Sequence, residues 1–232
     1  MRKMHAKRTI VTMLLSLILI ISVLPLGVSA TAKELRVGST VAFGSYEQDD
    51  ITMNGSEPIE WYVLYTKDDT ALLLSKYALF PGAYNDSGKA STWDKCTLRD
   101  WMNDIFYETA FSSTEQNVIL DTILVGEENP VYGTSAGDET LDKVFILSIS
   151  EAKKYLTDNR MLKGIPTEYA VTCGTRESDD GTCWYWLRNP GKTRANAAYV
   201  TTDVVISESG VPVNYNDSGI RPAIWVSTSK LN

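Results

Sequence analysis

The chain has 232 residues, with 29 Asp and Glu against 22 Lys and Arg, three cysteines and a single histidine. This length fits one domain with a substantial core, or at most two small ones, and the acidic balance disfavours nucleic acid and anionic membrane surfaces as partners. The histidine, His5, lies in the leading segment, so the rest of the chain excludes Ser-His-Asp and Cys-His catalysis and the usual zinc sites.

Residues 1–30 are predicted to be a signal peptide. Four basic residues precede an apolar run over residues 10–28, and Val28-Ser29-Ala30 supplies the small residues that a signal peptidase requires. A retained membrane anchor is the alternative, since about 20 apolar residues can span a bilayer. Cleavage lowers the count of Lys and Arg by four to 18, against 29 Asp and Glu, a net charge of −11. We therefore expect a secreted or cell-wall-associated domain over residues 31–232, with no membrane contact after cleavage.

The first predicted elements are three strands. Residues 40–46, 59–65 and 71–77 are rich in β-branched, aromatic and aliphatic side chains, and the polar run 67–70 between the last two indicates a hairpin. Glu60 lies inside the second strand, and we expect it to be the one buried acid.

The middle of the chain is predicted to be helical. Apolar residues at 98, 101, 102, 105 and 106 follow helical spacing and predict one buried face. Two capping boxes, Ser112 with Glu115 and Ser148 with Glu151, each predict the start of a helix. A short core strand is expected over 144–147.

The tail returns to strands over residues 184–188, 198–201, 204–206, 211–213 and 220–226. Strands, then helices, then strands again predict an α+β fold. No linker or repeat divides residues 31–232, so we expect one domain with mixed or antiparallel strands and two or three short helices.

Several segments together resemble a known family. The matching stretches are residues 43–46, 58–64, 98–103, 110–112, 143–148, 186–191 and 219–223. They are similar, in order, to an uncharacterised bacterial extracellular family, domain of unknown function 6273. The resemblance implies a secreted or surface-associated protein and supplies no established activity.

A looser resemblance rests on the Leu187-Arg188 turn and the later Gly219-Ile220-Arg221 strand. Both are similar to segments of the C-type-lectin-like and sulfatase-modifying-factor group of folds, in which the chain ends pair and aromatic-arginine segments build the core. This resemblance implies a C-type-lectin-like fold. The chain lacks a recognisable pair of active-site cysteines near its end, which the sulfatase-modifying enzymes use.

The cysteines give a second set of expectations. Cys173 and Cys183 flank a polar, glycine-bounded loop, and in an exported protein we expect them to form a disulfide. Cys96, at the start of the predicted helix, is expected to be a small buried residue.

The two signature arginines, Arg188 and Arg221, have two possible roles. Each could bind a carboxylate or phosphate of a ligand. Alternatively, each pairs with a buried acid, for which Glu60 is the candidate, or with loop carbonyls, and so fixes the closing strands.

Aromatic side chains are the other candidates for ligand binding. Alternation places Trp184 and Trp186 on one face of their strand and Tyr185 on the other. Tyr185, Tyr199 and Tyr215 belong to the same region, and flat rings on an open face stack on sugar rings or peptide side chains. These three tyrosines, with Arg188 and Arg221, form the predicted ligand-binding set.

No metal, cofactor or catalytic residue is predicted. The paired acids at 49–50, 68–69, 127–128 and 179–180 lack the alternating spacing of a calcium loop and are expected to be solvated. The favoured function is a non-catalytic module that binds a glycan, a cell-wall component or a protein partner. The alternatives are a structural surface protein that only assembles and, less favoured, a cysteine-dependent oxidoreductase of the sulfatase-modifying type.

Overall fold

The computed structural model describes residues 35–231, so the predicted signal peptide lies outside the described residues. The strands are β1 (Thr40–Tyr46), β2 (Glu57–Lys67), β3 (Thr70–Ser75), β4 (Phe80–Pro81), β5 (Thr122–Leu124), β6 (Thr140–Asp142), β7 (Tyr185–Pro190), β8 (Asn196–Val200), β9 (Ile206–Pro212), β10 (Gly219–Ile220) and β11 (Ala223–Ser227). The helices are α1 (Thr97–Trp101), α2 (Tyr107–Ala110), α3 (Ser113–Gln116), α4 (Ile149–Tyr155), α5 (Asn159–Leu162) and α6 (Glu168–Thr172). A π-helical stretch (Met102–Phe106) joins α1 to α2, and short 3-10 turns cover Trp93–Lys95 and Thr228–Lys230.

The first sheet has the order β1-β2-β3-β11 and is antiparallel throughout. The predicted hairpin is confirmed, because β2 and β3 join through a turn at Lys67–Thr70 in which Asp68 has a φ of 50°. The first and last strands thus belong to one sheet but lie at its opposite edges.

The second sheet has the order β4-β10-β7-β8-β9 and carries the candidate site. Its pairs are antiparallel apart from β10 and β7, which run parallel at Gly219 and Tyr185. The predicted strand 220–226 is divided between the two sheets at Arg221-Pro222. Pro222 has no N–H to donate, and its carbonyl accepts from Ser75 N at 2.8 Å instead.

A third, two-stranded ribbon consists of β5 and β6. The expected strand 144–147 is buried but is not a continuous strand, because only Phe145 forms a bridge, to Ala223. The described residues form one compact α+β unit, as the sequence predicts. None of the helices in residues 35–231 is long and apolar enough to cross a membrane.

Both predicted capping boxes are confirmed at the starts of α3 and α4. The helical face predicted over 98–106 is right except at Ile105, which is 55% exposed. The π-helical stretch explains this difference, because its wider turn rotates Ile105 away from the core. The same turn aims Asn103 at the backbone of residues 143 and 144, where its Oδ1 accepts from Lys143 N at 2.7 Å.

The main buried acid is Asp142, and the expectation for Glu60 was wrong. Asp142 accepts hydrogen bonds from Trp93 Nε1 and Arg99 Nε, both at 2.7 Å, and from Thr140 Oγ1 at 2.8 Å. The Glu60 side chain is 44% exposed and pairs with Lys76 at 2.8 Å. Position 60 lies between the buried residues Ile59 and Trp61, so its side chain faces the opposite, partly open side of β2.

Glycine is required at position 44, inside one of the family-like segments. Gly44 has a φ of +68° and sits where the register of β1 shifts against β2. A Cβ there would lie 2.6 Å from the Phe111 ring and 2.8 Å from the Ala110 carbonyl oxygen. This close approach lets Phe111 pack on Phe43, with ring centroids 5.5 Å apart.

Candidate functional site

An open cleft of about 530 Å³ lies where β7, β8 and β9 meet the loop before β7. The loop contributes residues 176–179, and the strands and the following turn contribute the other wall. The lining residues are Arg176, Glu177, Ser178, Asp179, Trp184, Tyr199, Thr201, Thr202, Val211, Tyr215 and Asp217. This volume is in the range of pockets that bind small molecules.

One wall of the cleft is aromatic. The Trp184 ring is half-buried and packs edge-to-face against Tyr199, with centroids 5.4 Å apart and planes at 79°. Behind it, Trp186 packs edge-to-face at 4.8 Å and donates its Nε1 hydrogen to the Gly82 carbonyl at 2.9 Å. Trp184 is thereby fixed from two sides. Tyr215 lines the same cleft and is 49% exposed.

The rim of the cleft is polar and mainly acidic. Three carboxylates, of Glu177, Asp179 and Asp217, accompany one guanidinium, of Arg176. The backbone joins the two sides of this rim, because Arg176 N donates to the Asp217 carbonyl at 2.8 Å. Carboxylates and hydroxyls beside exposed rings are suited to hydrogen-bond a polyhydroxylated ligand whose flat face rests on the aromatic wall.

The loop over residues 173–183 is closed by hydrogen bonds. Ser178 Oγ and Thr182 Oγ1 donate to Asp180 Oδ1 at 2.6 and 2.7 Å, and Ser178 N donates to the Thr182 carbonyl at 2.8 Å. The Ser178 and Thr182 hydroxyls, with Lys163 nearby, hold the pKa of the Asp180 carboxyl at about 2.

The predicted disulfide between Cys173 and Cys183 is not present in the structure. Cys173 is exposed after α6, and the proximity of its thiol raises the pKa of Tyr169. Cys183 points the other way, to the interior, where a Cβ added at Gly219 would lie 2.6 Å from its sulfur. Burial raises the pKa of the Cys183 thiol to about 12. The expected burial of Cys96 is confirmed, and burial raises its pKa to about 12 as well.

Three members of the predicted ligand-binding set lie in the interior and do not line the cleft. Tyr185 is buried and donates its hydroxyl hydrogen to the Leu162 carbonyl at 2.7 Å. Tyr185 and Trp184 do project to different sides, as alternation predicts. The side of Tyr185 is covered by the chain around α5, and the side of Trp184 opens at the cleft. The two remaining tyrosines, Tyr199 and Tyr215, both line the cleft.

Arg188 and Arg221 are buried. Of the two roles considered for them, their contacts match the structural one, in which each arginine fixes the closing strands. Arg188 donates to the Ile146 carbonyl at 2.7 Å and pairs with Glu151 at 3.1 Å. The expectation that Glu60 pairs with one of these arginines was wrong. The capping-box acid Glu151 is the partner of Arg188.

Arg221 is paired with loop carbonyls. Its guanidinium donates to the Ser75 carbonyl from Nε at 3.2 Å and Nη2 at 2.9 Å, and to the Met161 carbonyl from Nη1 at 2.7 Å. It also stacks over the Tyr185 ring at 5.0 Å. Arg221 therefore ties the end of β3 to the end of α5.

A separate group of acids lies at the paired ends of β1 and β2. One carboxylate oxygen from each of Glu47, Asp49 and Glu57 lies within 4.8 Å of the others. Oxygen ligands of this kind suit calcium or magnesium. Glu57 already accepts from Gln48 N at 2.8 Å and Asp49 from Ile51 N at 2.7 Å, so the loop backbone accounts for two of the three carboxylates.

Sequence reasoning missed Trp184 and Asp217 as lining residues, and it expected the loop over residues 174–182 at the binding surface without naming Arg176 or Glu177. The alternation that places Trp184 opposite Tyr185 was the available signal, but it does not tell which side is open. The two acids and Arg176 reach the cleft only through the long-range contact between loop 176–179 and Asp217.

The fold and the cleft define a compact α+β domain with an open, aromatic-walled cleft. The chain belongs to the family described as Domain of unknown function (DUF6273), whose model matches residues 68–228. The match begins after β2 and includes β3 to β11 and every residue that lines the cleft. We found no similar protein among the curated proteins and none among the solved structures.

Proposed function

We propose that this protein is a non-catalytic, secreted or cell-surface module that binds a glycan in the cleft beside Trp184. The observation that carries the proposal is the half-buried Trp184 ring, held by Trp186 and Tyr199 in a cleft whose rim is rich in carboxylates and hydroxyls. A fixed ring costs little conformational entropy on binding and offers a flat apolar surface to one face of a sugar. The rim groups are suited to the sugar hydroxyls.

The enzymatic alternative has less support. A cysteine-dependent oxidoreductase needs an accessible thiolate of low pKa. Burial raises the pKa of Cys96 and Cys183 to about 12, which leaves Cys173 as the accessible thiol among the described residues.

A C-type-lectin-like architecture is part of the proposal. The presence of β1 and β11 in one sheet supports it, whereas their positions at opposite edges differ from the direct pairing of chain ends that the resemblance implies.

The test is a glycan and cell-wall-fragment array with the mature domain, followed by calorimetry on the strongest ligand. We expect Trp184→Ala and Tyr215→Ala each to weaken binding at least tenfold, about 1.4 kcal/mol. Tyr132→Ala is the matched control, because Tyr132 is 43% exposed and does not line the cleft. EDTA is expected to leave the affinity unchanged.

Equal loss in Tyr132→Ala and Tyr215→Ala would contradict the assignment of the cleft. Release of shortened sugars during incubation would contradict the non-catalytic role. Failure to bind any saccharide, together with self-association in sedimentation experiments, would favour the structural alternative. Ile123 and Leu141, paired across β5 and β6 and 66% and 60% exposed, are the side chains to replace in that case.

A further inference from the structure

A second cleft, of about 290 Å³, lies near the β4 edge of the same five-stranded sheet. Its aromatic lining residues are Tyr46, Phe80, Trp101 and Tyr169, and its only charged lining residue is Asp86. None of these residues lines the first cleft.

The rings of the second cleft form a packed, partly open surface. Trp101 rests on the buried Phe80 ring with centroids 4.0 Å apart, and Tyr46 meets Tyr169 edge-to-face at 6.1 Å. Trp101, Tyr46 and Tyr169 are half-buried, so each ring keeps some surface open to solvent. This is the same combination of a supported tryptophan and neighbouring tyrosines that builds the wall of the first cleft.

Two segments of the chain connect the linings of the two clefts. One connecting segment follows α6, because Cys173 lines the second cleft and Arg176 lines the first. Three residues of chain span at most about 11 Å, so the two linings are close along this segment. The other connecting segment precedes β10, where Asp217 lines the first cleft and Gly219 pairs with Pro81 of the second.

Hydrogen bonds hold these connecting segments in place. Arg176 N donates to the Asp217 carbonyl at 2.8 Å, and Ser218 Oγ donates to the Gly82 carbonyl at 2.7 Å. The spacing of the two clefts is therefore set by ordered backbone of the sheet edge, and a ligand that reaches both does not have to order a mobile segment.

The charges of both clefts select against anionic ligands. Four carboxylates, of Asp86, Glu177, Asp179 and Asp217, face one guanidinium, of Arg176. Like charges repel polymers that carry uronic acids or phosphates, and the acidic balance of the whole chain acts in the same direction.

We propose that the second cleft is a further subsite, and that the protein binds an extended chain of uncharged sugars across both clefts. The inference rests on the proposed glycan-binding function. Sugars covalently joined to a unit already bound in the first cleft reach the second at a high effective concentration, so affinity increases with chain length.

The probes are two neutral series, cello-oligosaccharides and N-acetylated β-1,4-glucosamine oligomers, from dimer to hexamer, with oligogalacturonates as the anionic comparison. For the series that binds, calorimetry is expected to give at least tenfold higher affinity for the hexamer than for the dimer. Trp101→Ala should remove that gain and leave dimer binding unchanged, whereas Trp184→Ala should weaken both. Oligogalacturonates should bind at least tenfold more weakly than the neutral hexamer.

A chemical perturbation covers the case in which Trp101→Ala does not fold. Cys173 is exposed and lines the second cleft, so alkylation of the native protein with a bulky maleimide should lower hexamer binding and spare the dimer. The Cys173→Ser variant, treated in the same way, is the control.

The outcomes separate the two proposals. Affinity that does not depend on chain length, or that survives both Trp101→Ala and alkylation, overturns the second subsite and leaves the first cleft as a binding site. Tighter binding of oligogalacturonates overturns the choice of an uncharged chain. Failure of both neutral series and of the anionic series to bind overturns the subsite together with the glycan-binding function.

Discussion

Replacing Arg221 with methionine separates a structural arginine from one that binds ligand. Methionine keeps much of the length and apolar volume of the side chain and removes its charge and its donors. Arg221 is 1% exposed, and the change removes its hydrogen bonds to the Ser75 carbonyl, which are buried, and to the Met161 carbonyl, which is partly buried.

The magnitude follows from the contacts. The carbonyls of Ser75 and Met161 lose donors at 2.7–3.2 Å, and a buried carbonyl left without a partner costs about 1–3 kcal/mol. Loss of the contact with the Tyr185 ring adds roughly 0.5–2 kcal/mol. Removing the cost of burying the charge offsets part of this sum. We expect Arg221→Met to lower the free energy of unfolding by about 3–5 kcal/mol. This is the usual size of the loss when one partner of a buried ion pair is removed.

The assay is urea unfolding of the folded domain, monitored by tryptophan fluorescence at 25 °C. Arg176→Met is the matched control, since Arg176 is exposed at the cleft and its replacement should change stability by less than about 0.5 kcal/mol. Arg221→Lys should recover little of the loss, because an ammonium group cannot reach both carbonyls as the planar guanidinium does. An Arg221→Met protein with wild-type stability and abolished glycan binding would refute the structural assignment.

Three further predictions concern the thiols and two of the carboxylates. In the native protein, Cys173 should react with an aromatic disulfide reagent within minutes, while Cys96 and Cys183 react only on unfolding; equal rates for all three thiols would contradict the burial described above. The carboxyl of Asp180 should titrate near pH 2 by NMR. Because its folded pKa lies below the unfolded value, its contribution to the stability of the folded state is present above about pH 4 and is lost as the pH falls through about 2. Titration at an ordinary aspartate pKa would mean that the loop is not closed by the two hydroxyl groups. Asp142→Asn should destabilise the protein by about 2–4 kcal/mol in urea unfolding, because a buried carboxylate with three donors becomes an amide with one acceptor oxygen, and a loss under 1 kcal/mol would contradict this network.

Local patterns predicted local structure well. The hairpin of β2 and β3 and both capping boxes depend on residues within a few positions of one another, and all three are confirmed. Ile105 shows where this reasoning stops. The spacing of apolar residues assumes 3.6 residues per turn, and the π-helical stretch changes the turn within the helix itself.

The candidate site was only partly predictable, because its parts meet through long-range contacts. The sequence places Trp184 and Tyr185 on opposite sides of a strand, but only the packing of α5 against one side decides which ring is buried. The acids of the rim approach one another because Arg176 N donates a hydrogen bond to the carbonyl of Asp217, which lies 41 residues later in the chain. Glu151 presents the same difficulty. Its capping of α4 depends on neighbouring residues and was predicted, whereas its ion pair with Arg188 is a long-range contact and was not.

The position of β11 sets a constraint on how the chain acquires its fold. Strand β11 pairs with β3 on one side, and Ile119 and Phe145 bridge to Val226 and Ala223. About 150 residues separate Leu74 from its partner Ala223, which at 5–20 residues per second is roughly 7–30 s of synthesis. During that interval the edge of β3 has no partner strand and is open to wrong pairings. Folding of this domain is therefore expected to wait until residues 223–227 have been made, and a nascent chain stalled before them should aggregate or be degraded.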